Sequence, residues 1–221
     1  MQTRWVTFDC YGTLVDWQAG FLKILRPIAK QRTVELLDAY HRHEPQVEAE
    51  RPLRSYKEVL STALKRAAKE IGFRLDEEQA LCLGHQWSAL PVFEDVEPAL
   101  AALRTAQFKL GVLTNCDEDL FAQTQRKFRR PFDLVITAQT ARDYKPALSH
   151  FHCFERRSDL RRAQWVHVGC SWFHDMVPAR KLGIKSIWLD RLASGAESHP
   201  VSRLRSARDL PKTILQMFAN L

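Results

Sequence analysis

Four short apolar runs in the second half of the chain, at residues 109–114, 134–137, 164–168 and 186–189, alternate with helix-like segments and restrict the fold more than any other feature. A strand buried on both faces has no solvated side to carry alternating polar residues, so such runs read as strands of a parallel sheet covered by helices on both sides. A further run at 6–8 makes five strands. Those of the second half follow one another at intervals of roughly 20 to 30 residues, as strand–helix–strand units require. The first gap, of about a hundred residues, is too long for one crossover and must hold an insertion. Within it, Trp17, Phe21, Leu25 and Ile28 recur at helical spacing, and Ser55-x-x-Glu58 is a capping-box signal before a periodic segment that ends near Gly72. Asp76-x-x-Gln79 offers a second such signal. The expected class is α/β: a parallel-sheet core formed by residues 1–16 and 92–221, with a helical cap inserted at 17–91. No internal repeat or low-complexity segment is apparent.

The chain has 221 residues, 45% of them hydrophobic and 27% charged, which suits a globular protein and is too apolar for disorder. No window approaches the length of a membrane span. Met1-Gln2-Thr3-Arg4 leads straight into the first strand and leaves no room for a signal peptide, so a cytoplasmic location is expected. The five cysteines, at positions 10, 82, 116, 153 and 170, show no CxxC spacing and are expected to be reduced. A net charge of +7 can favour an anionic substrate. Basic residues cluster at 126–130 and 156–162, but without an aromatic stacking pattern they read as solvated helix faces. Neither a nucleic acid nor a membrane is an expected partner.

In an open parallel sheet, functional groups gather beyond the carboxyl ends of the strands. Asp9 follows the first strand, in the run Asp9-Cys10-Tyr11-Gly12-Thr13, and Thr114 and Asn115 end the second. Lys145 lies a few residues after the third, and Ser171 to Asp175 follow the fourth. Each has an ordinary structural explanation when taken alone: Asp9 as a turn former, Thr114 or Asn115 as a helix cap, Lys145 as an exposed residue before Pro146, Asp175 as a first-turn acid. Together they bring a carboxylate, a hydroxyl–amide pair, an ammonium and a second carboxylate to one edge. Asp9 is then poised as a nucleophile or metal ligand.

The segment Phe8-Asp9-Cys10-Tyr11-Gly12-Thr13-Leu14-Val15-Asp16-Trp17 is followed in order by Leu113-Thr114-Asn115, Tyr144-Lys145-Pro146 and His167-Val168-Gly169-Cys170-Ser171-Trp172-Phe173-His174-Asp175. This pattern resembles the haloacid dehalogenase superfamily, and its opening run resembles the type II 2-haloacid dehalogenase branch. The resemblance implies a Rossmann-like core, a mobile helical cap and a covalent aspartyl intermediate on a small anionic haloacid. Asp9 would attack C2 and release halide; water, assisted by Asp175, would then cleave the ester, with Lys145 holding Asp9 ionised. Thr13, Thr114 and backbone N–H groups near Tyr11 and Asn115 would bind the substrate carboxylate or the ester oxyanion, and Asn115 would help receive the halide. Tyr11 and Ser171 fall among the substrate contacts. The halide cradle would take an arginine from the cap, Arg42, with His41 beside it, and Trp17, Trp172 and Phe173 would form apolar walls. A homodimer is compatible with the family.

Where phosphatases of the superfamily carry a second Asp, two residues after the nucleophile, this chain has Tyr11, a phenol with a pKa near ~10 and a poor proton donor to a leaving oxygen. Where they carry the first acid of the last motif it has Ser171. Magnesium wants several hard oxygens, so no metal is expected, and no other cofactor. The tyrosine common six residues after the lysine in 2-haloacid dehalogenases is Phe151, and the asparagine three before the final Asp is Trp172, so the water-positioning network must differ. His150-x-His152-Cys153 lacks a partner pair at ligand spacing. The expected function is a metal-independent hydrolytic dehalogenase of short 2-haloalkanoic acids. The alternatives are a magnesium-dependent phosphatase of the same superfamily and a catalytically idle binding protein.

Overall fold

A computed structural model of the protein describes residues 3–193 and 201–219; Met1 and Gln2 lie outside them. Six parallel strands form one sheet: β1 (Arg4–Phe8), β2 (Phe108–Thr114), β3 (Leu134–Thr137), β4 (Trp165–Gly169), β5 (Lys185–Leu189) and β6 (Ser202–Leu204). Their order is β3-β2-β1-β4-β5-β6. The chain steps outward from β1 to β3, then returns to β4 on the other side of β1, so the topological switch lies between β1 and β4, where a crevice opens beyond the strand ends. β6 has no counterpart among the expected strands. It is three residues long, half-buried throughout and, among the described residues, paired only with β5, too short to show a period in sequence.

The central strands are apolar because both of their faces are covered. Val6 lies opposite Leu110 on one side and Val166 on the other, and all three are fully buried. The helices packed around the sheet are α6 (Val96–Thr105), α7 (Glu118–Gln125), α8 (Ala138–Ala141), α9 (Ser149–Ser158), α10 (Val177–Lys181) and α11 (Leu210–Ala219). They make the chain an α/β protein.

Between β1 and α6 lie five more helices, α1 (Trp17–Ala29), α2 (Thr33–Ala49), α3 (Tyr56–Glu70), α4 (Glu77–Ala80) and α5 (Cys82–His85). The chain leaves the sheet and re-enters it through two adjacent segments: Asp16 N donates to Pro91 O at 2.8 Å, Phe93 N donates to Leu14 O at 3.0 Å, and Val15 bridges Val92 in antiparallel fashion. Asp16 then caps α1 by accepting from Ala19 N. At α3 the capping box is complete, Ser55 Oγ accepting from Glu58 N and the Glu58 carboxylate from Ser55 N, an arrangement that contributes about 1 kcal/mol. α2 and α3 pack against one another, and Leu36, Leu37 and Tyr40 of α2 and Val59, Leu60, Ala63 and Leu64 of α3 are buried in the same apolar cluster. Each leucine buried there contributes roughly 1.5–3 kcal/mol. The buried carboxylate of Asp117, in the loop after β2, accepts from Tyr56 N and Lys57 N at 2.9 Å each, fastening the first turn of α3 to the core.

Candidate active site

The carbonyl end of β1 places Asp9 at the switch point. Asp9 N continues the ladder by donating to Val168 O at 2.9 Å, after which the chain turns sharply at Gly12, whose φ of +96° is costly for any residue with a side chain. Thr13 is thereby folded back under Asp9: its hydroxyl donates to Asp9 Oδ2 at 2.7 Å and accepts from Cys170 N at 2.9 Å. Lys145 Nζ approaches from the segment after β3. It donates to Asp9 Oδ1 at 2.9 Å, Asp175 Oδ1 at 2.7 Å and Leu113 O at 2.8 Å, so all three of its protons are used. The side chain of Asn115 holds the Lys145 backbone at both ends, Oδ1 accepting from Lys145 N at 2.7 Å and Nδ2 donating to Lys145 O at 3.1 Å.

Asp175 sits in a π-helical turn, Trp172–Met176, that opens α10. Such a turn widens the helix by one residue and is often found at functional sites. It swings the carboxylate back against β4, where a Cβ on Gly169 would lie 2.4 Å from it. Behind Asp175 runs a buried chain of polar groups. Trp165 Nε1, which can only donate, gives its proton to Thr7 Oγ1 at 2.7 Å; Thr7 Oγ1 lies 2.9 Å from His167 Nδ1, and His167 Nε2 lies 3.4 Å from Asp175 Oδ1. The carboxylate can only accept, so a neutral His167 carries its proton on Nε2 and takes the Thr7 hydroxyl proton at Nδ1. Burial disfavours the charged form of this imidazole and lowers its pKa.

Burial works against every charge in this cluster, and the partners decide the balance. For Asp175, Lys145 and His167 outweigh burial and hold the carboxyl well below the usual range. For Lys145, burial is outweighed by Asp175 and Asp9, and its ammonium is held above the ordinary lysine value. Asp9 is the exception. Burial, with Asp175 nearby, outweighs Lys145 and raises its carboxyl above the usual value.

Above these groups is a cavity of about 220 Å³, closed on the core side by Asp9, Tyr11, Thr114, Asn115, Lys145, Cys170, Ser171, His174 and Asp175, and on the cap side by Trp17, Phe21, Glu44, Glu48, Tyr56 and Trp87. It is smaller than the ~300–1,000 Å³ typical of pockets for drug-sized ligands and suits a substrate of a few heavy atoms. The haloacid dehalogenase-like hydrolase family model matches residues 6–189, most of the chain and every element that builds this cavity. The chain belongs to the haloacid dehalogenase-like hydrolases. Among curated relatives, the haloacid dehalogenase-like hydrolase domain-containing protein 3 of Xenopus laevis is 31% identical over 111 residues, a match spanning 49% of this chain and 43% of that protein. Haloacetate dehalogenase H-2 of Moraxella sp. is 23% identical over 84% of this chain and 85% of its own length. Among solved structures, the L-2-haloacid dehalogenase of Xanthobacter autotrophicus superposes with a TM-score of 0.85 at 20% identity, over 98% of this chain and 100% of that one. A phosphatase of the superfamily from Thermococcus onnurineus superposes with a TM-score of 0.64 at 21% identity, over 96% of this chain and 98% of its own. These structural likenesses establish the haloacid dehalogenase fold.

Against the expectations for a haloacid dehalogenase-like site, Asp9, Tyr11, Trp17, Thr114, Asn115, Lys145, Ser171 and Asp175 all reach the cavity. Thr13 does not; it is fully buried beneath Asp9 and orients the carboxylate rather than touching the cavity. The Tyr11 phenol turns away from Asp9, 2.9 Å from Thr124 Oγ1 and accepting from Trp87 Nε1 at 2.8 Å, so it ties the cap to the core. Burial raises its pKa and keeps it neutral.

The structure does not bring the expected halide arginine to the cavity. Arg42 is exposed on the outer side of α2, ion-paired with Glu70 and donating to Asp38 O. His41 packs its ring edge-on against Trp17, with centroids 4.8 Å apart, and is absent from the cavity lining. Phe173 is exposed and Trp172 stacks edge-on against Trp188, so neither forms a cavity wall. His150 is buried against Thr114 O at 3.2 Å, and burial lowers its pKa to about 3. Sequence reasoning overlooked Glu44, Glu48, Tyr56 and Trp87 on the cap side, and His167 and His174 on the core side.

A metal fits this family member poorly. Among the described residues, Asp9, Cys170 and Asp175 bring ligand atoms within 4.8 Å of one another, but both carboxylates are already ion-paired with Lys145 and burial pushes the Cys170 thiol up. The set offers too few hard oxygens for magnesium.

Proposed function

We propose that this chain hydrolyses the carbon–halogen bond of short 2-haloalkanoic acids through a covalent ester on Asp9, without a metal. The observation that carries the reading is the Asp9–Lys145–Asp175 arrangement, in which one ammonium serves two carboxylates at 2.9 and 2.7 Å at the floor of a small cavity. An aspartate held in this way is aimed by Thr13 and Lys145, and its surroundings offer too few hard oxygens for the metal that phosphoryl transfer employs. One Asp9 oxygen attacks C2 in line with the departing halide, forming the C–O bond as the C–X bond breaks. Water then adds to the Asp9 carbonyl carbon and yields its proton to Asp175, the remaining carboxylate on Lys145. Collapse expels the 2-hydroxy acid as its alkoxide, which takes that proton back and leaves Asp9 as its carboxylic acid; loss of the water's second proton to solvent then regenerates the Asp9 carboxylate. Residues 17–91 act as the cap that excludes water from this sequence of steps.

The decisive measurement is halide release from monochloroacetate and from each enantiomer of 2-chloropropionate in the presence of a chelator. Wild type is expected to release halide, and Asp9→Asn to lose activity by on the order of 10⁴-fold or more. A single turnover in ¹⁸O-water should label the Asp9 carboxylate and leave the first hydroxy acid unlabelled. Magnesium-dependent release of phosphate from monoesters, with no halide released, overturns the reading in favour of a phosphatase.

A further inference from the structure

The cap wall of the cavity has the wrong charge for a departing anion. Glu44 and Glu48 lie one helical turn apart on α2 and both line the cavity, while the lone cation among the described lining residues, Lys145, is already engaged by Asp9, Asp175 and Leu113 O. Side chains at i and i+4 share a helix face with about 5–6 Å between their Cβ atoms. Two carboxylates about 5 Å apart repel by roughly 3 kcal/mol at an effective dielectric constant of about 20, so a buried pair is stabilised by keeping a proton.

The hydrogen bonds decide which carboxyl keeps it. Glu44 Oε1 accepts from Tyr56 OH at 2.5 Å and from Tyr40 OH at 3.2 Å, two donors that favour its ionised form and so oppose the rise that burial imposes on its carboxyl. Glu48 has a single long contact, Asn115 Nδ2 at 3.4 Å, and His174 Nε2 stands 4.0 Å from its other oxygen. Resting on the dehalogenase reading above, we propose that Glu48 is the cap's halide-binding and specificity-determining residue: a neutral carboxylic acid whose O–H hydrogen-bonds the leaving halide, in place of an arginine. The proton stays on Glu48 throughout, and the halide leaves as the anion.

The surroundings agree with this assignment. Burial first and Glu44 next push the Glu48 carboxyl well above its ordinary value, against the opposing pull of Asn115 and Lys145. The other titratable groups around it are Tyr40 and Tyr56 of the cap, Tyr144 beside Lys145, and His174 of the π-helical turn. Burial raises all three phenols, which stay neutral, and lowers the His174 imidazole. Halide affinity is therefore full while Glu48 is protonated and falls as pH rises through its raised pKa.

Chloride is the probe. Its ³⁵Cl line broadening, titrated out by bromide, measures the site without turnover, in wild type, Glu48→Gln and Glu48→Ala between pH 5 and 9. Wild type should lose at least tenfold in affinity across that range. Glu48→Gln keeps a neutral donor that does not titrate, and should bind within about threefold of acidic wild type at every pH. Glu48→Ala should be weakened about tenfold at low pH, the cost of one hydrogen bond to a charged partner. The proposal is overturned by an unchanged pH dependence in Glu48→Gln, which would make His174 the titrating group, by wild-type affinity in Glu48→Ala, or by the absence of chloride binding in wild type. Chloride binding that follows Glu48 in a protein that releases no halide from any haloacid would instead sink the dehalogenase reading and leave the anion site standing.

Discussion

On the core wall of the cavity each buried carboxylate has a cation at hydrogen-bond distance, whereas on the cap wall two carboxyls face the same space with only neutral hydroxyls, an amide and a neutral imidazole around them. The core wall is built from strand ends, where the backbone fixes each side chain to within a narrow range, and Asp9, Lys145, Asp175 and His167 form one connected network. The cap wall is one face of a helix set over that network. Charge on the core wall is held ready for chemistry; charge on the cap wall is held off by burial. A buried ion pair with one partner removed is costly because the other charge stays behind, but an acid that can keep its proton avoids that cost.

The sharpest way to break this contrast is to remove the shared cation. Lys145→Met leaves Asp9 and Asp175 facing one another with no counter-charge, and should lower stability by roughly 3–5 kcal/mol, measured by urea unfolding at neutral pH. One of the carboxyls must then take up a proton. Halide release should fall by about 10³-fold or more, since the nucleophile is no longer held ionised and aimed. A Lys145→Met protein as stable as wild type would mean that the core wall tolerates unpaired carboxyls as the cap wall does.

A smaller effect tests the one raised carboxyl of the core wall. Activity requires Asp9 as the carboxylate, and kcat/KM reports the free enzyme. Because burial and Asp175 raise the Asp9 pKa, kcat/KM should be lost as pH falls through a value above the ordinary aspartate figure of ~3.9, by about tenfold per pH unit below it. An acid limb below that figure would show that Lys145 outweighs burial at Asp9 as it does at Asp175.

How much of this could be read in advance follows from the same contrast. The sheet was legible because strands buried on both faces are continuous apolar runs, and the gathering of Asp9, Thr114, Asn115, Lys145 and Asp175 because strand ends of a parallel sheet share one edge. β6 was not legible: three half-buried residues carry no period. His167 stands inside the fourth motif, yet its part depends on Thr7 and Trp165, neighbours across strands that no local spacing reveals. In the cap, a cation beside Tyr40 is the expectation, but helical periodicity sets carboxyls on the cavity face. Tyr40, Glu44 and Glu48 follow at intervals of four and share a face, as the burial of Tyr40 and Glu48 reflects.

Arg42 is the residue for which the two walls predict the least. At about 100° per residue it stands roughly 200° around α2 from Tyr40, on the side away from the cavity. There it pairs with Glu70, both side chains well exposed, an arrangement that contributes about 0–1 kcal/mol. Arg42→Ala should therefore leave kcat/KM for haloacids within about twofold of wild type and change stability by less than about 1 kcal/mol. A KM for 2-chloropropionate raised tenfold or more with kcat retained would place the guanidinium against the bound substrate. That outcome requires α2 to turn its outer face inward in the complex, which would carry Glu48 out of the cavity and return the halide cradle to a cation.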